Sequence, residues 1–171
     1  MDSNSSLDRL QNILDNVNNW LHFIEAKNGA LIAFNIALIS AFIGSDFINV
    51  CHFIFYGVIF GLLLSTFFSL WSFRPINKTL PKTELRGLQE NLLHYAYIAS
   101  LDKTEFIVSF YERYMNEHIE NTSTIPKLDL DYFDEIIQNA RITTIKQIFF
   151  NRAFTTLIIT LCVILGMIIC A

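Results

Sequence analysis

The chain has 171 residues, of which 53% are hydrophobic and 16 are phenylalanine, more than a soluble domain of this size needs to fill its core. Its net charge of −4 comes from acids and bases in mixed order, which disfavours a generic nucleic-acid binder. The three cysteines have no paired spacing, so neither a disulfide framework nor a zinc site is indicated.

The apolar residues are concentrated in three stretches that contain no Asp, Glu, Lys or Arg, namely 28–45, 47–73 and 153–171. Each is close to the length that crosses about 30 Å of hydrocarbon as a helix. A cleaved signal peptide is disfavoured for the first stretch, because a long polar segment precedes it instead of a short basic one. The sequence therefore predicts an all-α membrane protein with three transmembrane helices.

The basic residues predict the orientation of these spans. All twelve Lys and Arg lie either before residue 28 or between residues 74 and 152. Lys and Arg near span ends are retained in the cytoplasm. We therefore expect a cytoplasmic N-terminus and a helical cytoplasmic domain inserted between the second and third spans, with the turn at Asp46 and the C-terminus outside.

The first helix is predicted to begin near Ser5 or Ser6, where a hydroxyl can cap free backbone amides, with Asp8 in its first turn. Its apolar residues alternate in steps of three and four, the heptad pattern of helices wound about one another. No proline interrupts this pattern, so one helix of about 39 residues is expected to run from the cytoplasm through the bilayer. The heptad face consists of Leu7, Leu10, Leu14, Val17, Leu21, Ile24, Asn28, Leu31, Asn35, Leu38 and Phe42.

The opposite side of the first span carries small residues at every fourth position, which allow another backbone to approach closely. The second span has a similar series, and we expect the two series to pack together in a tight antiparallel hairpin. The heptad face with Asn28 and Asn35 would then be free for another subunit or a symmetry axis. The alternative is that Asn35 only bonds a neighbouring helix. The two small-residue series are Gly29, Ala33, Ala37, Ala41 and Ser45, and Gly57, Gly61, Ser65 and Ser69.

The segment between the second and third spans is predicted to be helical. Pro75 and Pro81 end the second span, and one amphipathic helix is expected from about Leu85 to Leu101. Asp102 and Glu105 resemble a capping box that opens another. After a loop at 121–126, a last helix is expected to run from about Asp129 into the third span.

These observations divide the chain into five parts. We assign 1–28 to a cytoplasmic heptad helix continuous with the first span, 29–45 to that span and 48–73 to the second. Residues 74–150 form the cytoplasmic helical domain, and 152–171 form the third span.

No motif for catalysis is recognised. The sequence has no glycine-rich phosphate loop, no nucleophile elbow and no His-Glu metal helix. We therefore expect no enzyme activity, no cofactor and no metal site. Glu25 and Lys27 lie at the mouth of the first span, either as ordinary interfacial charges or as partners in an ion pair that stabilises one gating state.

Three segments suggest a family: WLHFIEAKNGALIAFNIALISAFI from Trp20, FRPINKTLP from Phe73, and NLLHYAYIASLDKTEF from Asn91. From about Trp20 onward the chain resembles the Pycsar transmembrane effectors of bacterial antiphage defence and similar small channel effectors such as that of the Hailong system. In that family an acidic residue, a spacer, a lysine and a small or polar residue open the first span. Glu25, Lys27 and Asn28 match this pattern.

The resemblance implies an effector of the bacterial inner membrane. It would answer a nucleotide signal made by a partner nucleotidyltransferase encoded alongside, and then disrupt the membrane to halt the infected cell by abortive infection. Pycsar effectors can carry a separate cyclic-nucleotide-binding domain, which this sequence lacks. A nucleotide or short oligonucleotide would then bind the helical cytoplasmic domain directly, with candidate contacts at Arg86, His94, Lys103, Tyr111 and Arg113.

The sequence thus favours a homo-oligomer, a tetramer or near it, whose first helices gather about an axis to form an ion channel or pore. Asn28 and Asn35 are the candidate polar rings, and Leu31, Leu38 and Phe42 the candidate hydrophobic gate. Two alternatives remain. One is a non-conducting membrane anchor or adaptor that recruits a cytosolic partner through its heptad helix, and the other is a lytic protein without ligand control.

Overall fold

The computed structural model describes residues 3–45, 52–76, 79–83, 89–119 and 124–170, and these residues form helices and connecting segments with no strand. Three helices, within Ser6–Ile43, His52–Ser72 and Lys127–Ile169, are long and apolar enough to cross a membrane. The predicted all-helical class, with three helices able to span a membrane, is therefore confirmed. In chain order the elements are α1 (Ser3–Ile43), α2 (His52–Ser72), α3 (Tyr95–Ser100), α4 (Lys103–Phe110), a π-helical turn (Tyr111–Met115) and α5 (Lys127–Cys170).

The chain divides into two compact units. The central unit consists of Met1–Phe23 and Ile76–Ile145, and the membrane unit of Ile24–Pro75 and Lys146–Ala171. Two helices contribute residues to both units, because α1 and α5 each continue without a break past a unit boundary.

The first helix is continuous over 41 residues, as the uninterrupted heptad pattern predicted. Its start differs in detail. Ser6 lies inside the helix, and its hydroxyl donates a hydrogen bond of 3.0 Å to the buried Asp129 carboxylate of the central unit. The predicted start at Ser5 or Ser6 is therefore wrong by two or three residues, and Ser6 is not the N-cap, because the helix already includes the residues before it.

Two expectations for the central unit have different outcomes. The capping box is confirmed, since Asp102 accepts from the Glu105 amide at 2.8 Å and Glu105 accepts from the Asp102 amide at 2.9 Å. The helix expected from Leu85 is wrong for residues 89–94, where the chain is not helical, and residues 84–88 lie outside the described part. Asn91 accepts from the Leu93 amide, an Asx turn that competes with a helix, and α3 begins only after His94.

The core of the central unit is aromatic. Phe106 and Phe110 meet Phe133 edge to face, each with ring centroids 5.3 Å apart. All three rings are fully buried, together with Leu10 and Val17 of the α1 heptad face. This part of the heptad face thus packs within its own chain.

In the membrane unit α1 and α2 run antiparallel, with Phe42 stacked on Phe55 at 5.1 Å near one end. The core between the three helices is apolar and includes Leu62, Ala153 and Leu157. Large apolar side chains on α2 and α5 face outward instead, as lipid contact requires. These include Phe53, Tyr56, Phe60, Leu63, Phe67, Ile158, Ile159, Leu165 and Ile169.

Candidate functional site

The two asparagines of α1 are fully buried in the membrane unit, both with 0% exposure. The Asn28 Nδ2 atom donates to Ser72 Oγ at 3.1 Å, and Asn35 Nδ2 donates to Ser65 Oγ at 2.9 Å. The two asparagines are seven residues apart, as are the two serines, so the antiparallel helices pair heptad against heptad. Each amide thereby obtains a partner that hydrocarbon would not provide.

Ser65 joins three helices through one oxygen atom. Its hydroxyl donates to the Ala153 carbonyl of α5 at 2.9 Å while its oxygen accepts from Asn35 of α1. Because the single hydroxyl proton is used by Ala153, the oxygen can only accept from Asn35, which fixes the orientation of that amide. Ser65 is itself fully buried.

This network is incompletely paired. Among the described residues, no hydrogen-bond partner exists for Asn28 Oδ1, Asn35 Oδ1 or Ser69 Oγ, and all three are shielded from solvent. A buried polar atom without a partner costs about 1 to 3 kcal/mol. The packing of the three helices therefore carries a substantial penalty at this site.

The structure corrects the predicted hairpin. The helices meet through the asparagine face, so the inference that this face is free for another subunit is wrong here. The small-residue face of α1 is the exposed one, at Gly29, Ala33, Ala37 and Ala41. The physical reason is that two amides need polar partners inside the bilayer, whereas alanine and glycine tolerate lipid.

The second small-residue series is divided between two neighbours. Ser65 and Ser69 are buried, and Gly61 faces the third span, where an added Cβ would lie 2.3 Å from Thr160 Oγ1. Gly57 is exposed and has open space around it. The absence of a side chain at Gly61 thus allows α2 and α5 to approach closely.

The proposed gate residues lie in the apolar core on the same face as the asparagines. Leu31 and Phe42 are buried at 7% and 6% exposure, and Leu38 is partly buried against the same cluster. They fill the space between the helices of one chain in this arrangement. Whether they line a pore stays a prediction.

The charges at the mouth of the first span contact α5. Glu25 forms an ion pair with Lys146, whose side chain is only 9% exposed against 33% for Glu25. The Lys27 ammonium lies over the Phe150 ring, 5.4 Å from its centroid. The motif residues Glu25, Lys27 and Asn28 therefore each bind another helix of the membrane unit, the first two through α5 and the third through α2.

The candidate ligand residues that the structure describes each contact other residues of the chain. Arg86 lies outside the described residues. Lys103 pairs with Asp134 at 2.6 Å, and Arg113 pairs with Glu90 at 2.5 Å. His94 caps α3 through Nδ1 and stacks on Tyr95 at 4.8 Å.

Tyr111 is the candidate least suited to a ligand, since it has 0% exposure. Its hydroxyl donates to Asp129 at 3.4 Å. Burial, with the nearby Asp129 carboxylate, raises the pKa of Tyr111 to about 12, because both disfavour a phenolate. The side chain serves as a neutral donor that ties the π-helical turn to the start of α5.

The sequence reasoning missed Arg141, a cation buried to 8% exposure in the central unit. Its guanidinium donates to the carbonyls of Leu80 and Leu101, at 2.6 and 3.0 Å. The available signal was a charge on the apolar face of α5, beside Ile137 and Ala140. Arg141 anchors the segment that follows the second span.

A metal-binding cluster is not found in the part of the chain that the structure covers. No group of three or more His, Cys, Asp or Glu side chains there is placed to hold a metal ion. Cys162, which is exposed on α5, forms no disulfide.

The comparison with protein families gives a match over most of the chain. A family model described as the Pycsar effector protein domain covers residues 9–171. No curated protein and no solved structure matches the chain.

Proposed function

The chain belongs to the Pycsar effector family, a family of membrane effectors in antiphage defence, and from this we propose that it acts as a ligand-gated ion channel. It is a multi-pass membrane protein with three candidate spans. Its family is one of effectors and not a known family of enzymes. The proposed channel is a homo-oligomer of the bacterial inner membrane with a cytoplasmic N-terminus and a cytoplasmic central unit.

The observation that carries this proposal is the buried asparagine face of α1. Two amides with unpaired oxygens are costly in a passive anchor, whose spans need only apolar packing. In the proposed open form, α1 helices from several copies present Asn28 and Asn35 to a shared aqueous path. Leu31, Leu38 and Phe42 form the constriction that conducts only when widened.

The described arrangement is the resting form in this proposal, since the asparagines are enclosed within one protomer. Opening requires α1 to separate from α2 and α5. The rival adaptor would also require a rearrangement of α1, since Leu10 and Val17 of the heptad face that it needs for a partner are fully buried in the central unit.

The gating signal in this proposal is a cyclic nucleotide or short oligonucleotide made by a partner nucleotidyltransferase. It binds the central unit at the candidates that reach the surface, namely His94, Lys103 and Arg113. Lys103 and Arg113 already have carboxylate partners in exposed ion pairs. Such pairs are weak enough for phosphate groups to replace them.

The test is ion flux from liposomes that contain the purified protein, recorded without ligand and then with cyclic nucleotides or short oligonucleotides. Flux that a ligand switches on or off supports the channel. Tight liposomes under every condition would support the adaptor. Flux without any ligand, with killing of cells that lack the partner enzyme, would support a lytic protein.

Asn35→Leu is expected to lower ligand-evoked flux at least tenfold, an effect on the order of 1.4 kcal/mol. It removes the polar ring and also relieves the resting form of an unpaired amide oxygen. Phe34→Leu is the matched control, since Phe34 is the adjacent residue and is 48% exposed. Unchanged flux from well-expressed Asn35→Leu protein would refute the pore assignment of Asn35.

A further inference from the structure

We infer that the Ser65 hydroxyl is a latch that holds the membrane unit in its resting form. The inference rests on the proposed function and adds how the resting form is kept shut. One oxygen atom of α2 binds Asn35 of α1 and the Ala153 carbonyl of α5 together. Loss of this atom removes two contacts between helices at once.

Ser65 and Ser72 differ in their importance to the asparagine that each one binds. The difference is whether the asparagine amide keeps another hydrogen-bond partner when the serine is lost. Asn28 Nδ2 also donates to the Ile24 carbonyl of its own helix at 3.1 Å, so it keeps a partner when α1 leaves α2. Asn35 Nδ2 has Ser65 as its hydrogen-bond partner. The Asn35 amide is therefore the part of α1 that depends on the latch.

The latch holds together an arrangement that buries polar atoms without hydrogen-bond partners among the described residues. The unpaired oxygens of Asn28, Asn35 and Ser69 lie along the same helix contact and favour any arrangement that gives them a hydrogen-bond donor. Water or another copy can supply donors once α1 has separated. The Ser65 hydrogen bonds therefore oppose a group of unpaired atoms that favours separation of α1.

Ser65→Ala is expected to raise flux without ligand by about tenfold, because one hydrogen-bonded centre is lost from the resting form only. Thr66→Ala is the matched control. Thr66 is the next residue, and its hydroxyl donates to the Leu62 carbonyl of its own helix, so its loss breaks no contact between helices. The Thr66→Ala protein should leak no more than the wild type.

Substitutions at the two partners of the Ser65–Asn35 hydrogen bond should have opposite effects on flux. Ser65→Ala strands the Asn35 amide and favours opening, whereas Asn35→Leu removes that amide and favours the resting form. A purely structural role would make both variants leak or both fail to fold. Leak from both, or from neither while the wild type answers ligand, would overturn the latch.

A second measurement separates the latch from the proposed channel. In a background without cysteine, Leu31→Cys places a thiol between the two asparagines at a position that is 7% exposed. Labelling by a small maleimide should be about tenfold faster with Ser65→Ala than with Thr66→Ala. Faster labelling in liposomes that never conduct would refute the channel and keep the latch, and equal labelling would refute the latch.

Discussion

A covalent bridge between α1 and α2 is expected to abolish ligand-evoked flux completely and reversibly. The bridge joins Asn28→Cys to Ser72→Cys, two positions whose side chains are in hydrogen-bond contact. The proposed opening requires α1 to leave α2, and a bond within one chain forbids it. When a reducing agent breaks the bridge, flux should return to the level of the Asn28→Cys single variant, which already lacks the Asn28 amide.

This experiment needs a background in which Cys51, Cys162 and Cys170 are replaced by alanine, so that no other thiol reacts. A short bifunctional thiol reagent replaces oxidation where the geometry of a direct disulfide is not reached. The controls are the two single-cysteine variants under identical treatment. Full flux from protein that is quantitatively bridged within the chain would show that the channel opens without separation of these helices.

The largest expected effect on stability is at the ion pair of the span mouth. Glu25→Gln should lower the free energy of unfolding by about 3 kcal/mol, because it leaves the Lys146 ammonium, with a side-chain exposure of 9%, without its carboxylate. Lys146→Met should lower the free energy of unfolding by less than Glu25→Gln does. It replaces the buried cation by an apolar chain of similar length, and the Glu25 that remains is 33% exposed and can be hydrated.

Unfolding of the detergent-solubilised protein measures this asymmetry. Glu90→Gln is the control, since it breaks an ion pair in which Arg113 and Glu90 are 40% and 69% exposed, and should cost under about 1 kcal/mol. The exchanged pair, Glu25→Lys with Lys146→Glu, should recover part of the loss. Equal costs for Glu25→Gln and Lys146→Met would mean that burial of the lysine does not govern the pair.

The number and position of the spans could be predicted, because the length of a stretch without charges is visible in the sequence. That length does not depend on which residues pack against the stretch. The pairing of faces could not be predicted in the same way. A heptad pattern locates the buried face of α1, but periodicity carries no information about whether the same chain or another covers it. The polar residues supply the missing signal, since asparagines seven apart match serines seven apart across an antiparallel turn.

The candidate site shows a similar limit. Glu25 was recognised as a residue able to form an ion pair, but its partner Lys146 is 121 residues away, and nothing local connects the two. Tyr111 was selected for its aromatic ring, and its burial depends on Phe133 and Asp129, which lie much later in the chain. Residue type can suggest a chemistry, whereas availability to a ligand depends on long-range packing.

The hydrogen bond from Ser65 to Ala153 also bears on how the protein is made. The acceptor lies 88 residues after the donor, so a ribosome needs about 4 to 18 s to reach it. During that time α1 and α2 lack the contact with α5 that the Ser65 hydrogen bond to Ala153 provides. Each new molecule of the proposed channel therefore passes through an interval in which the Ser65 hydroxyl has no acceptor on α5. The time that each molecule spends without this contact depends on how quickly α5 inserts after translation ends.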